Sequence, residues 1–274
     1  MAAAAAVGED VPFGPGERVA FRITYAHLLA GRATLAVLGP EREDGSGLRF
    51  LAEAHSQGFF AWLFRYHVDD RTVASWDPVC GCSLRIEKHL REGRAKRDQE
   101  VEFEPTVGIA HVADSKIPQA RFDVGTCALD VLSALFVVRI RGVAEGHEPT
   151  LSVFDNGRRY GMLVRWRGRE RLDLPPPFGD GYPTVIVEPL LVEGSGLFAR
   201  KGRLWVWLTD DARRVPVRMR SGVAIGSVSA DLEEYEPPAV SVRAERAPRP
   251  VCCPQLEPRP PGDYFVAGEP SLAR

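Results

Sequence analysis

The chain has 274 residues, 45% of them hydrophobic and 26% charged, with a formal net charge of −2. That balance is ordinary for a soluble globular protein, and the length is enough to bury a substantial core. The near-zero charge leaves no global field to recruit nucleic acid, and no run of 18 apolar residues offers a transmembrane span.

In chain order, residues 1–11 are expected to be flexible. Met1 followed by five alanines resembles what surrounds a small-residue export cleavage site, so the reading is of a mature exported chain. Pro12 to Glu17 is turn-rich. Val19, Phe21, Ile23 and Tyr25 then alternate with polar neighbours, as do Ala33, Leu35 and Val37, and next Leu48, Phe50 and Ala52. This period of two predicts a meander of half-buried strands. Residues 56–66 are aromatic without alternation and predict a short helix or folded-over loop. A strand follows over 68–76, then a turn at Asp77-Pro78 that carries Cys80 and Cys82, and a return strand through Leu84 and Ile86.

The charge-rich stretch from Arg91 to Glu104, in which Val101 and Phe103 alternate, reads as a solvated hairpin arm, with Gly108 to His111 pairing against it. From Thr126 the period changes to that of a helix, its face built from Leu129, Leu132, Leu135, Phe136 and Ile140. Thr126 is available as cap and Gly142 as stop, which predicts one principal helix near 126–141. Strands resume at Thr150 to Phe154, the Asp155-Asn156-Gly157 turn follows, and Tyr160 to Trp166 alternate on the return. After a proline-rich loop at 175–177 and a strand at 184–189 comes the stretch around which the rest is organised, Gly196 to Tyr235. There Leu204, Val206 and Leu208 face one side and Trp205 and Trp207 the other. A polar turn at 210–214 leads to the alternating Val215, Val217 and Met219, and a third run holds Val228, Ala230 and Leu232. Prolines crowd the chain from Glu236, so 236–274 is expected to be a largely unstructured tail. The fold class read from these patterns is mainly β, a single antiparallel twisted open barrel or half-barrel over 12–235 with one principal α-helix.

No catalytic signature appears. The six histidines form no metal-ligand pairing, GxSxG is missing, and no glycine-rich loop sits between a strand and a helix, so no catalytic residue, metal site or cofactor is expected. Cys80, Cys82, Cys127, Cys252 and Cys253 are an odd count. Either a disulfide links the 80/82 cluster to the 252/253 cluster in an oxidising compartment, or the thiols stay free. The adjacent acids Asp69-Asp70 and Asp210-Asp211 cannot each form a dyad, because neighbours on a strand point to opposite faces. The aromatics are in surplus: Phe59, Phe60, Trp62, Tyr66, Trp205 and Trp207 exceed what one solvated sheet face needs. They form either a second core layer or a ligand-binding surface, flanked by a possible acidic and basic groove at Asp70, Arg71, Asp210 and Arg218.

On PFGPGERVAFRITY (12–25), GFFAWLFRYHVDDRT (58–72), LDVLSALFVVR (129–139), IVEPLL (186–191) and GLFARKGRLWVWLTDDARRVPVRMR (196–220), the chain resembles the DUF3108 family of bacterial exported proteins. The resemblance implies a periplasmic or secreted β-rich envelope protein and brings no catalytic residues. A looser likeness, confined to the strand-turn-strand, is to lipoprotein carriers of the LolA and LolB type, which are curved half-barrels with an apolar cavity. The expected function is non-enzymatic: binding of an apolar or amphipathic molecule, lipid or glycolipid, or of an envelope partner's chain, through the aromatic surface. The rival is a carbohydrate-active envelope enzyme using Asp70 and Asp210; a third option is a scaffold tethered by the proline-rich tail.

Overall fold

A computed structural model describes residues 11–40, 47–57, 67–115, 117–192, 203–222 and 227–239. The predicted alternation becomes fourteen strands: β1 (Arg18–Tyr25), β2 (Leu28–Pro40), β3 (Leu48–Ser56), β4 (Asp69–Asp77), β5 (Cys82–Glu92), β6 (Ala95–Glu104), β7 (Ile109–Asp114), β8 (Ile117–Asp123), β9 (Thr150–Asp155), β10 (Arg158–Leu174), β11 (Gly179–Leu191), β12 (Leu204–Thr209), β13 (Pro216–Gly222) and β14 (Ser227–Glu236). The one α-helix among the described residues is α1 (Val131–Arg141). All strands lie in a single antiparallel sheet of order β8-β7-β6-β5-β4-β3-β2-β1-β14-β13-β12-β11-β10-β9. Two meanders are thus joined where the first strand pairs with the last. On the outer face of that seam Glu233 accepts from Arg32 and from Arg22, at 2.8 and 3.1 Å for the closest atoms of each pair. Those bonds hold its carboxyl down at about 2.

The sheet is not closed by backbone hydrogen bonds. It curls until its edge strands meet through side chains, with the rings of Phe122 on β8 and Phe154 on β9 at 5.4 Å. The open edge of β9 is covered by Leu129, whose N–H donates to Ser152 O at 2.9 Å and whose carbonyl accepts from Phe154 N at 2.8 Å. Covering an edge in this way removes a template for aggregation.

Helix α1 is buried on most of its circumference, from Leu132 through Arg139, as befits a helix inside a curved sheet rather than on its surface. Phe136 stacks on Phe50 of β3 at 3.9 Å, and Phe13 packs edge-on to both rings. The N-cap is Asp130, not Thr126. One Asp130 oxygen accepts from Leu132 N and Ser133 N at 2.8 and 2.9 Å, and the other from Ser83 Oγ at 2.5 Å. A carboxylate facing the first-turn amides outcompetes a hydroxyl four residues upstream. Gly142 ends the helix as expected, at φ 68°, with its N–H donating to Val138 O.

Two further expectations are corrected. The arm at 91–104 is not simply solvated: Gln99, Val101 and Phe103 of β6 are buried on the inner face. The alternation of Val101 and Phe103 thus marks a buried face that extends to Gln99, while the outward positions are Glu100, Glu102 and Glu104. As for the cysteines, the free-thiol alternative is the one overturned: Cys80 is disulfide-bonded, and Cys82 is bonded to Cys127, with Cα atoms 4.7 Å apart, a pairing outside both alternatives. This bond ties the start of β5 to the segment that leads into Asp130. Residues 1–10 and 240–274, and the expectations of flexibility made for them, lie outside the described residues. Within the described part, Val11 and Phe13 belong to the core, and Ala239 N donates to Pro15 O at 3.1 Å.

The helix end of the curved sheet is sealed. Arg139 leaves the last turn of α1 and meets the Glu17 carboxylate with both terminal nitrogens, at 2.9 and 2.8 Å, with both side chains 1% exposed. Tyr235 donates its hydroxyl to Glu17 at 3.1 Å, and Arg139 also donates to the Arg213 carbonyl at 3.1 Å. The turn that supplies this carbonyl accounts for the polar residues at 209–214 in the 196–220 stretch. Asp211 Oδ1 accepts from Thr209 Oγ1, Arg213 N and Arg214 N at 2.7, 3.0 and 3.1 Å, so LTDDARRVP is a side-chain-built turn. The Arg213 guanidinium lies 5.1 Å from the centre of the Phe178 ring, and Arg214 donates to Arg139 O at 2.8 Å. The crevice between Glu17, Val37, Phe136 and Arg139 is too tight for a water molecule.

Candidate ligand-binding end of the half-barrel

Opposite the helix lies the hairpin end, marked by the Ala26-His27 turn with φ of 46° and 69° and by the Asn156-Gly157 turn with φ of 50° and 73°. By the strand directions, the ends of β3, β11 and β13 and the starts of β4, β12 and β14 lie there as well.

The register shows how the interior changes toward this end. Val37, Phe50, Ala74, Ile86, Val101 and Val112 pair in succession across β2 to β7, and all six are buried. The next inward-facing row, two residues nearer the hairpin end, runs Leu35, Ala52, Thr72, Lys88, Gln99 and Asp114. An apolar belt therefore gives way to a polar row from β4 onward. A further step along β6 brings Arg97 to the same face.

These polar groups are mutually paired and joined by the end of β9. Lys88 Nζ contacts Asp155, with 12% and 18% of the two side chains exposed. Arg97 donates to Asp114 at 2.7 Å and to Asn156 Oδ1 at 2.7 Å, and the Asp114 side chain is fully buried. The Gln99 amide nitrogen donates to the same Asp114 oxygen at 3.0 Å, while its Oε1 is buried with no partner among the described residues. Tyr160 of β10 is inward and half-buried; burial, and then the Asp155 charge, push its phenol well above the usual tyrosine range. A cluster of this kind costs free energy to bury and is kept only where its members satisfy one another or a further group.

The residues singled out from the sequence are dispersed. Phe59, Phe60, Trp62 and Tyr66 lie outside the described residues. Trp205 and Trp207 are on the outer face of β12, away from the core side of Val206 and Leu208. Trp207 is only 6% exposed. Its indole N–H donates to Glu170 Oε2 at 2.6 Å, and the guanidinium carbons of Arg218 and Arg220 each lie 5.8 Å from its ring centre. Arg218 also contacts Asp231. This is a cation–π arrangement that covers the ring. Asp70 is on the inner face near the polar row, where it accepts from Arg91 N at 2.8 Å; Arg71 is outward and paired with Glu53 at 2.7 Å. Asp210 sits past the end of β12 at the helix end, paired with Arg169 at 2.8 Å. Asp70 and Asp210 are therefore at opposite ends of the sheet, so they do not share the cleft that a pair of glycosidase carboxyls requires.

Sequence reasoning missed Lys88, Arg97, Gln99, Asp114 and Asp155. One signal could have found part of the cluster: Arg97 and Gln99 are in phase, by twos, with Val101 and Phe103, which marks them as inward polar residues rather than solvated ones.

Among the described residues no helix is long and apolar enough to cross a membrane. No group of three or more histidine, cysteine or acidic residues there is arranged to hold a metal ion. Residues 20–233 match a family model described as "Protein of unknown function (DUF3108)". No curated protein matches the chain. Among solved structures, the chain is similar to a beta-barrel-like protein of the domain of unknown function DUF1849 from Brucella abortus. That likeness has a TM-score of 0.55 at 12% identity and covers 82% of this chain and 98% of the other. At that identity it is a likeness of fold alone.

Proposed function

The chain belongs to the DUF3108 family, and on that footing we propose that it is a non-enzymatic envelope protein that holds an amphipathic molecule at the hairpin end of its half-barrel. The observation that carries this reading is the change of the inner face from the belt of Phe50, Ala74, Ile86 and Val101 to the row of Thr72, Lys88, Gln99 and Asp114. The belt is packed core, whereas Lys88, Asp155 and Arg97 in or beside the row are partly exposed, so a molecule held here would turn its polar group to the row and keep its apolar body at the rim of the hairpin end. Placement in the periplasm or outside the cell is part of the proposal. Its support is the Cys82–Cys127 disulfide, a bond that persists in oxidising compartments.

The test is native mass spectrometry of protein purified from its own host without detergent, before and after solvent extraction. A bound mass recovered as lipid or glycolipid is the expected result. Protein that carries no added mass, and takes up none when offered the host's lipid extract, would overturn the reading.

A further inference from the structure

Resting on that reading, we infer that the polar row recognises an uncharged, hydroxyl-bearing head group, a sugar, and that Gln99 Oε1 is the acceptor that selects it. The charges already present are balanced. Lys88 is matched by Asp155, and Arg97 by Asp114. A phosphate placed here would have to separate an existing pair and would face the carboxylates of Asp114 and Asp155. Gln99 points the same way. Its nitrogen is committed to Asp114, which fixes the amide so that the oxygen is the group left over. An oxygen buried in a residue 6% exposed can be satisfied only by a hydrogen-bond donor. Sugar hydroxyls are donors; phosphodiesters and quaternary amines are not. The neighbouring carboxylates and the Tyr160 phenol, kept protonated by its burial, offer the further acceptors and the donor that a ring with several hydroxyls uses.

Asp114 at the floor is fully buried, whereas Lys88, Asp155 and Arg97 have 12%, 18% and 26% of their side chains exposed. The row is therefore reached from the hairpin end, and a head group would enter over Arg97 and Asp155 toward Gln99.

The experiment is calorimetric titration of the solvent-extracted full chain with three probes that share one tail and are kept below micelle formation. They are octyl glucoside, octylphosphocholine and octylamine. The side-chain amide signals of Gln99 are followed by NMR alongside. Octyl glucoside is expected to bind about ten-fold more tightly than octylphosphocholine, as one satisfied buried acceptor warrants, and to shift the Gln99 amide signals. Gln99→Met is expected to bring the two affinities within about three-fold of each other. The wild-type NMR shift decides the matter if that variant folds poorly. Equal binding of glucoside and phosphocholine, a preference for octylamine, or a bound glucoside that leaves the Gln99 signals in place would overturn the inference and leave the proposed function standing. Failure of all three probes to bind would overturn both.

Discussion

Arg139→Met is expected to destabilise the protein by about 3–5 kcal/mol, the cost of leaving one partner of a buried ion pair uncompensated. Among the described residues, Glu17 would keep only the Tyr235 hydroxyl at 3.1 Å as a side-chain partner, in a site where it is 1% exposed. The Arg213 carbonyl would lose its donor as well. In a chain of this size each kcal/mol moves the melting temperature by roughly 2–4 °C, so a fall of about 10 °C is expected. The pair is not favourable merely by being ionic. Desolvating two charges offsets most of their attraction, so Glu17→Leu combined with Arg139→Met should recover most of the lost stability. Urea denaturation of the four members of that double-mutant cycle measures the coupling. A loss below about 1 kcal/mol for Arg139→Met alone would mean that the helix end is not held as described.

Removing the Cys82–Cys127 bond is the second large effect. The two residues are 45 apart in sequence, and closing a loop of that length restricts the unfolded chain by about 4 kcal/mol on the chain-entropy account. The Cys82→Ala/Cys127→Ala variant is expected to lose about that much. The loss should be local in its first stages, because the bond anchors the segment whose Asp130 carboxylate accepts from Ser83 and caps α1. Hydrogen exchange in the first turn of α1 should therefore accelerate before exchange in β12 and β13 does. Unchanged urea stability in the variant would contradict this account of the bond.

How much of this was legible in the sequence follows from the range of the interactions. Local features were readable: the Asn156-Gly157 turn, the alternation along β1 to β3 and β12 to β14, and the stop at Gly142 need only a residue and its neighbours. The helix was found but capped at the wrong residue. The choice of Asp130 depends on Ser83, 47 residues away, which shares the carboxylate. The arm at 91–104 looked solvated because its outward glutamates dominate the composition, while Gln99 and Val101 face inward. Register across the four strands β4 to β7 decides that Thr72, Lys88, Gln99 and Asp114 form one row, and nothing in any single strand reveals it. Trp207 stood out correctly as a tryptophan opposite the core face. Its covering comes from two other strands, Arg218 and Arg220 on β13 and Glu170 on β10.

The account as a whole turns on which surface the ligand occupies. Hydrogen–deuterium exchange on the protein as purified, compared with the same protein after solvent extraction, tests that most directly. The account predicts that extraction speeds exchange at the hairpin ends of β4 to β7, around Asp70, Lys88, Gln99 and Asp114, and leaves β12 and β13 unaltered. Faster exchange confined to Trp205, Trp207 and Arg218, with β4 to β7 unmoved, would contradict it and place the ligand on the outer face instead.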